Sequence, residues 1–406
     1  MMKKSSRKNR STSESILNIK SFFSNINYIK ILLISLFIVT IALIIYMIFV
    51  IFNILTIKPN CSVCLLQRPI LQKDVVVART TMIILESPQE DKILGVWLVS
   101  ENKENASLMV YYIPWWVYVY DYSGSNLSSR LSISNLKYAS TLVSPDRYRE
   151  YTIWQLVQNI GLPINDYIWI DSNNLNNYSN IYGDIAEFSR SDISKLYIND
   201  ISNESLLLHS FMSRFSSLSI FTNYNEHKSF FAAIESNMNT YELIRYITSL
   251  RDSLSVGGIN SIDVSLNNST SEIYDSSLAR NVSVINTQVI DAQYVNVLSK
   301  LKSREYNAEL SRVEVYNGSD ISGLAFRYKR LLSNNGINVI RYDNAPDIYE
   351  RTTVYITNDK FPITKDVIID TVGSDVEIIN ANPSFITTGD FVVVLGKDIG
   401  NKIEWK

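Results

Sequence analysis

Two cysteines, Cys61 and Cys64, stand in C-x-x-C spacing just past a long apolar run, and no other cysteine occurs in the 406 residues. A thioredoxin-type redox pair uses that spacing at the start of a helix that follows a strand. Here the motif follows an apolar segment, so a local disulfide or two incidental thiols is the preferred reading. His209 and His227 are the only histidines, which excludes a zinc site built from His and Cys. The tandem pair Trp115-Trp116 closes an apolar, β-like run. Such paired indoles suit three roles: stacking on sugar rings, a seat near a membrane interface, or plain packing at the rim of a core.

The elements that carry these residues begin with a membrane span. Residues 1–30 hold seven Lys or Arg and one Glu, residues 31–55 hold no charge, and the rest hold 31 basic and 39 acidic side chains. The near-neutral total of −2 therefore divides into +6, zero and −8. The uncharged, predominantly apolar run of 25 residues from Ile31 to Leu55 is long enough, at about 1.5 Å per residue, to cross a hydrocarbon core of about 30 Å as a helix. The run is too long for a signal peptide, and Thr56-Ile57-Lys58-Pro59 offers no small-residue cleavage site. Lys3, Lys4, Arg7, Lys8, Arg10, Lys20 and Lys30 precede the span, so the positive-inside rule keeps the N-terminus in the cytoplasm and the bulk of the chain outside. The one basic cluster sits against the span, which argues for contact with anionic lipid and against nucleic acid as a partner.

Past the span, Met82–Leu85, Ile93–Val99 and Ser107–Ile113 read as buried strands. Ile153, Leu156, Val157 and Ile160 then recur at helical spacing before Gly161 and Pro163, and Tyr167–Asp171 is a further strand. Residues 203–251 read mainly as helix, with Phe230, Phe231, Ile234, Tyr241, Leu243 and Ile244 among the apolar positions assigned to the core. The Ser- and Asn-rich stretch 265–281 reads as a loop approaching a linker, and Tyr294–Asn307 as a connecting helix. From Arg312 a compact unit follows: strand 312–316, helix 321–332, strands 337–342 and 352–356, helix 363–372 and strand 391–395. No internal repeat is present. The expected organisation is α/β throughout: a cytoplasmic tail (1–30), one transmembrane helix (31–55), a mixed-sheet α/β domain (56–264), a linker with connecting helix (265–310) and a small C-terminal α/β domain (311–400).

The last unit resembles the LytR C-terminal domain of the LytR-CpsA-Psr cell-envelope proteins over about 312–398. The resemblance rests on a strand ending in Asn317-Gly318, the helix start Gly323-Leu324-Ala325, Gly336 before the second strand, Arg351-Thr352-Thr353 entering the third, and the terminal strand Val393-Val394-Leu395-Gly396. Gly318 is expected to support the turn, Gly323 to permit close backbone approach at the helix start, and Gly336 to cap the helix. Residues 82–251 resemble a divergent form of the same family's upstream domain. Where that family has R-x-D-T, this chain has Gln89-Glu90-Asp91; where it has I-P-R-D, this chain has Ile113-Pro114-Trp115-Trp116; GLPINDYIWID, Gly161–Asp171, matches a later landmark.

The resemblance implies a phosphotransferase that moves a polymer from a polyprenyl pyrophosphate lipid to the cell wall, with arginines on phosphate oxygens and acidic groups on a divalent metal. Here the framework is retained and the charges are not: only Asp91 survives as an acidic position. Indole supplies one N–H and no charge, and a single lost donor in such sites costs about 3–4 kcal/mol of transition-state stabilisation. Arg79, Lys92, Arg130, Arg190 and Arg214 are the basic residues available to restore the charge. The expectation is a non-catalytic binding or scaffolding protein of a bacterial envelope, extracytoplasmic, with no catalytic residue, metal or cofactor assigned. Trp115, Trp116 and Arg351 are its ligand-binding candidates. Expected partners are the membrane through residues 31–55, a wall glycan or polyprenyl-linked polymer, and other envelope proteins. The alternative is an active phosphotransferase with relocated arginines, which would need a divalent metal.

Overall fold

The computed structural model describes residues 11–57, 59, 79–87, 89, 91–102, 107–122, 129–171, 224–246, 259–263, 269–301, 309–373 and 376–401. These form two units, 1–56 and 57–406. The first is one helix, α1 (Ser11–Leu55), whose stretch Tyr28–Leu55 is long and apolar enough to cross a membrane, with a mean hydropathy of 3.0 over an 18-residue window.

The second unit contains three sheets. The largest has six strands: β1 (Arg79–Ser87), β2 (Lys92–Asn102), β3 (Ser107–Pro114), β6 (Asp166–Asp171), β7 (Glu235–Ser236) and β8 (Ile259–Asp263), in the order β7-β6-β1-β2-β3-β8. β2 runs antiparallel to both β1 and β3, while β6 is parallel to β1. The carboxyl ends of β1, β3 and β6 therefore lie at one end of the sheet. Alternation along the strands sends Met82, Ile84, Val96, Leu98, Tyr111 and Ile113 into a core shared with Ile153, Leu156 and Ile160 of α3 (Tyr148–Ile160). A shorter helix, α2 (Leu136–Val143), precedes α3, and α4 (Tyr224–Ala233) precedes β7. Phe230, Phe231, Ile234 and Leu243 are buried as expected, but Tyr241 is exposed on the solvent side of its helical turn. Leu206, Leu207, Phe211, Phe215, Arg190, Arg214, Cys61, Cys64 and His209 lie outside the described residues.

The segment read as a linker contains structure. β9 (Thr270–Asp275) and β10 (Arg280–Ile285) form a hairpin in a second sheet with β4 (Tyr118–Tyr120) and β5 (Arg130–Ser132), and α5 (Thr287–Leu301) begins seven residues before the expected connecting helix. The strands hide in the sequence because they lie in a Ser- and Asn-rich stretch and bury a single apolar side chain between them, Val282. Its turn is specified by Asp275: Oδ1 accepts from Ser277 N–H at 2.9 Å and Ser277 Oγ at 2.5 Å, and Oδ2 pairs with Arg130 at 3.1 Å. The Ser277 hydroxyl above all, with the Arg130 guanidinium, lowers the Asp275 carboxyl from 3.8 to about 2. A depressed folded value means the contribution to stability is complete above pH 3.8 and is lost as pH falls toward 2. Asp275→Asn is therefore expected to lower the melting temperature at pH 6, with the gap to the unsubstituted chain closing between pH 4 and pH 2; a gap of constant size would contradict this assignment.

The C-terminal sheet has the order β12-β11-β15-β13-β14, from β11 (Val313–Asn317), β12 (Val339–Asn344), β13 (Thr353–Ile356), β14 (Glu377–Ile379) and β15 (Phe391–Leu395). Helices α6 (Leu324–Asn334) and α7 (Pro362–Val372) cover one face, over Val313, Val315, Val354, Phe391, Val393 and Leu395; α8 (Lys397–Asn401) ends the described chain. Gly323 differs from its expected role: it has φ +73° and open space around the Cβ direction, so it supplies a left-handed helix start and no close approach. Close approach occurs at Gly396, where a Cβ would stand 2.4 Å from the Arg351 carbonyl carbon.

Candidate functional site

The carboxyl end of the large sheet gathers charge from four separate elements. Glu86 is the penultimate residue of β1, Asp91 lies in the turn into β2 with φ +53°, Lys137 comes from α2, Arg149 from the first turn of α3, and Glu235 from β7. Lys137 Nζ is 2.9 Å from Asp91 Oδ1 and 3.3 Å from Glu86 Oε2. Arg149 Nη1 is 2.8 Å from Glu235 Oε2, and its Nη2 is 4.0 Å from Glu86 Oε1. Glu86, Glu235 and Lys137 are buried, and Tyr167 donates its hydroxyl to Glu235 Oε1 at 3.1 Å. The Arg149 guanidinium lies over the ring of Tyr148 at 4.7 Å and that of Trp169 at 5.6 Å, and these two rings meet edge to face. Burial first, then the neighbouring Glu86 carboxylate, raises the Tyr148 phenol well above its ordinary value, so Tyr148 remains a proton donor here at any physiological pH.

Two cations thus meet three carboxylates, and the cluster carries a net charge of −1. Lys137 and Arg149 are pinned by carboxylates and by π-faces, which lowers their availability to an incoming anion. The acidic groups do not fit a divalent ion either, because each faces a cation; among the described residues no group of three or more His, Cys, Asp or Glu is arranged to hold a metal.

The candidates from the sequence divide between this end of the sheet and elsewhere. The register places Pro114 beside Gly95 and Gly95 beside Leu85, so the Trp115-Trp116 turn that follows β3 lies at the same end as Glu86 and Asp91. Both indoles are half-buried at the centre of a turn closed by Val117 N–H to Pro114 C=O at 3.2 Å. Ser134 N–H donates to the Trp115 carbonyl, and Trp116 packs on the core. Gln89 is exposed. Arg79 pairs with Asp166 at the opposite end of β1, and Arg130 pairs with Asp275 and accompanies Tyr120 on the second sheet, so neither supplies charge to the cluster. Arg351 is exposed on the C-terminal domain, where its backbone, pressed against Gly396, is the conspicuous feature.

Sequence reasoning missed Glu86, Lys137, Arg149 and Glu235. A charged residue next to last in the buried strand RTTMIILES and a basic residue on the buried face of α2 were the available signals.

A second arrangement joins the C-terminal domain to this one. Arg330, buried in α6, donates from Nη1 to Asn159 C=O at 2.9 Å and from Nη2 to Ile160 C=O at 2.6 Å, while Nε and Nη2 hold Asp291 of α5 at 2.7 and 2.9 Å. Asn334 donates to Gly161 C=O at 2.9 Å. The last three carbonyls at the end of α3 are therefore capped by side chains from α6, at the helix end that favours a cation. Gly161, at φ +76°, leaves the room: a Cβ there would lie 2.8 Å from Arg330 Cζ.

These features define an α/β protein with a helix long and apolar enough to cross a membrane at its N-terminal end. Residues 311–398 match the family model described as LytR cell envelope-related transcriptional attenuator, so about a fifth of the chain is a LytR-type C-terminal domain. Three solved structures are similar over the larger part. TagV of B. subtilis is 12% identical, with a TM-score of 0.39 over 56% of this chain and 97% of that one. A LytR-Csp2A-Psr enzyme from Actinomyces oris is 11% identical, with 0.38 over 58% and 96%. TagT bound to LIIa-WTA is 10% identical, with 0.36 over 55% and 91%. No curated protein matches the sequence.

Proposed function

We propose that this chain is a single-pass envelope protein, anchored by residues 31–55 with its N-terminus in the cytoplasm, that binds or scaffolds a cell-wall polymer without catalysing its transfer. The observation that carries this reading is the self-neutralised cluster: the positive charge that a pyrophosphate site requires is held internally by Glu86, Asp91 and Glu235. The LytR-type domain and the asymmetry of charge around α1 support an envelope location. Trp115 and Trp116, half-buried at the carboxyl end of the sheet, are the aromatic faces proposed for sugar rings, so a glycan or polyprenyl-linked glycopolymer is the proposed ligand.

Titrating a polyprenyl-linked glycopolymer onto the full chain in detergent tests the reading. Saturable binding is expected, and Trp115→Ala with Trp116→Ala is expected to weaken it about tenfold, the loss of roughly one stacking contact per ring. No binding by the unsubstituted chain would remove the proposal. A second reading, an active phosphotransferase, draws on Lys137 and Arg149, two cations at this end of the sheet; it requires both to exchange their carboxylates for phosphate oxygens during turnover.

A further inference from the structure

β12 is the outer strand of the C-terminal sheet, paired with β11 on one side and with no strand among the described residues on the other. After Val339, every residue of β12 is exposed. Ala345 N–H donates to Asn317 C=O of the neighbouring chain segment, so by alternation the main-chain groups of Arg341 and Asp343 face β11 and those of Tyr342 and Asn344 face the open edge, up to the register shift at Ile340. The edge is also apolar where it meets α6: Ile340 is 43%, Tyr342 49% and Phe326 39% exposed, and the rings of Phe326 and Tyr342 lie 5.8 Å apart.

We infer that β12 pairs with β12 of a second copy of this chain, antiparallel and two-fold symmetric about Tyr342, joining two five-stranded sheets into one. In that register each Tyr342 exchanges its N–H and C=O with the other, and Arg341 stands opposite Asp343 of the second copy in both flanking positions. Those flanking pairs are of the close, non-hydrogen-bonded kind, where side chains interact most strongly across strands. Arg341 and Asp343 already pair within the strand at 3.1 Å with both side chains half in solvent, so the dimer closes a ring of four alternating charges. The same charges select the register: a slip by two residues in either direction sets Arg341 against Arg341 or Asp343 against Asp343. Anchoring in a membrane raises the effective concentration of one copy for another, which suits an interface this small.

The test is the mass of the full chain in detergent micelles and in lipid nanodiscs, by light scattering, for four forms: unsubstituted, Arg341→Asp, Asp343→Arg, and the double exchange Arg341→Asp/Asp343→Arg. Each single substitution opposes like charges twice, and the double exchange restores both attractions with the composition unchanged. Dimers in the unsubstituted and double forms, with association at least about tenfold weaker in each single form, are expected. Both substituted positions are exposed, and melting temperatures of the four forms establish that each is folded. The same oligomeric state in all four, or a folded double form that associates no better than the singles, would overturn the pairing.

Discussion

In full-length chain carrying Arg330→Met, thermal unfolding is expected to change from one cooperative transition to two, with the C-terminal domain melting first and a loss of about 3 kcal/mol or more. The magnitude follows from what the substitution strands. Arg330 is buried, and its guanidinium satisfies two carbonyls of the α3 end and both oxygens of Asp291. Methionine fills the volume but leaves those carbonyls without their donor and the partly buried Asp291 carboxylate with Asn334 Nδ2 at 2.9 Å as its remaining partner, and a buried acceptor deprived of its partner costs about 1–3 kcal/mol. Asp291 is 22% exposed and recovers some hydration, which keeps the expected loss below the sum of its parts. Arg330→Met/Asp291→Leu removes the orphaned charge and is expected to regain part of the stability. Gly161→Ala attacks the same junction from the other side, through a left-handed φ and a Cβ inside the guanidinium. A single unchanged transition in Arg330→Met would show that this cap does not couple the domains.

The second large effect concerns the charged cluster. Glu86→Gln with Glu235→Gln preserves shape and changes the net charge of the five groups from −1 to +1. Arg149 then loses both carboxylate neighbours, while Lys137 keeps Asp91 at 2.9 Å. Inorganic pyrophosphate, titrated calorimetrically onto the full chain, is expected to bind at least about tenfold more tightly to the double variant than to the unsubstituted chain, or about 1.4 kcal/mol. Adding Arg149→Met to the double variant is expected to abolish the gain, because a planar guanidinium is the group that matches phosphate oxygens. Equal affinity in all three chains would mean that the cluster does not restrain its cations.

Which parts of this molecule could be read from the sequence follows from where the side chains end up. The C-terminal domain was legible because its central strands are short apolar or β-branched runs buried at nearly every position, as in Val313–Tyr316 and Phe391–Leu395, and because its turns carry Gly318 and Gly336. Its missed piece, β14, is a three-residue edge strand whose burial is slight. Helix α6 was readable on one face only: Leu324, Ala325, Leu331 and Leu332 mark the core, but the polar face that looks solvated buries Arg327, Arg330 and Asn334 against the upstream domain. No periodicity announces a polar face that docks on a helix end. β9 and β10 failed for a different reason, since they are mostly half-buried or exposed and the alternating apolar positions of β10, Val282 and Val284, are too few to stand out beside a Ser- and Asn-rich stretch. At the site, Asp91 and the Trp115-Trp116 pair were found through motif positions, whereas Glu86, Lys137, Arg149 and Glu235 converge from elements up to 149 positions apart and share no local pattern.

The central claim is binding without transfer, and turnover tests it most directly. Full-length chain in detergent, incubated with a polyprenyl-pyrophosphate-linked glycopolymer and divalent metal, is expected to hold the ligand and release no polyprenyl phosphate above the protein-free rate. Metal-dependent release that disappears in Arg149→Met would contradict the account and establish the cluster as a phosphotransferase site.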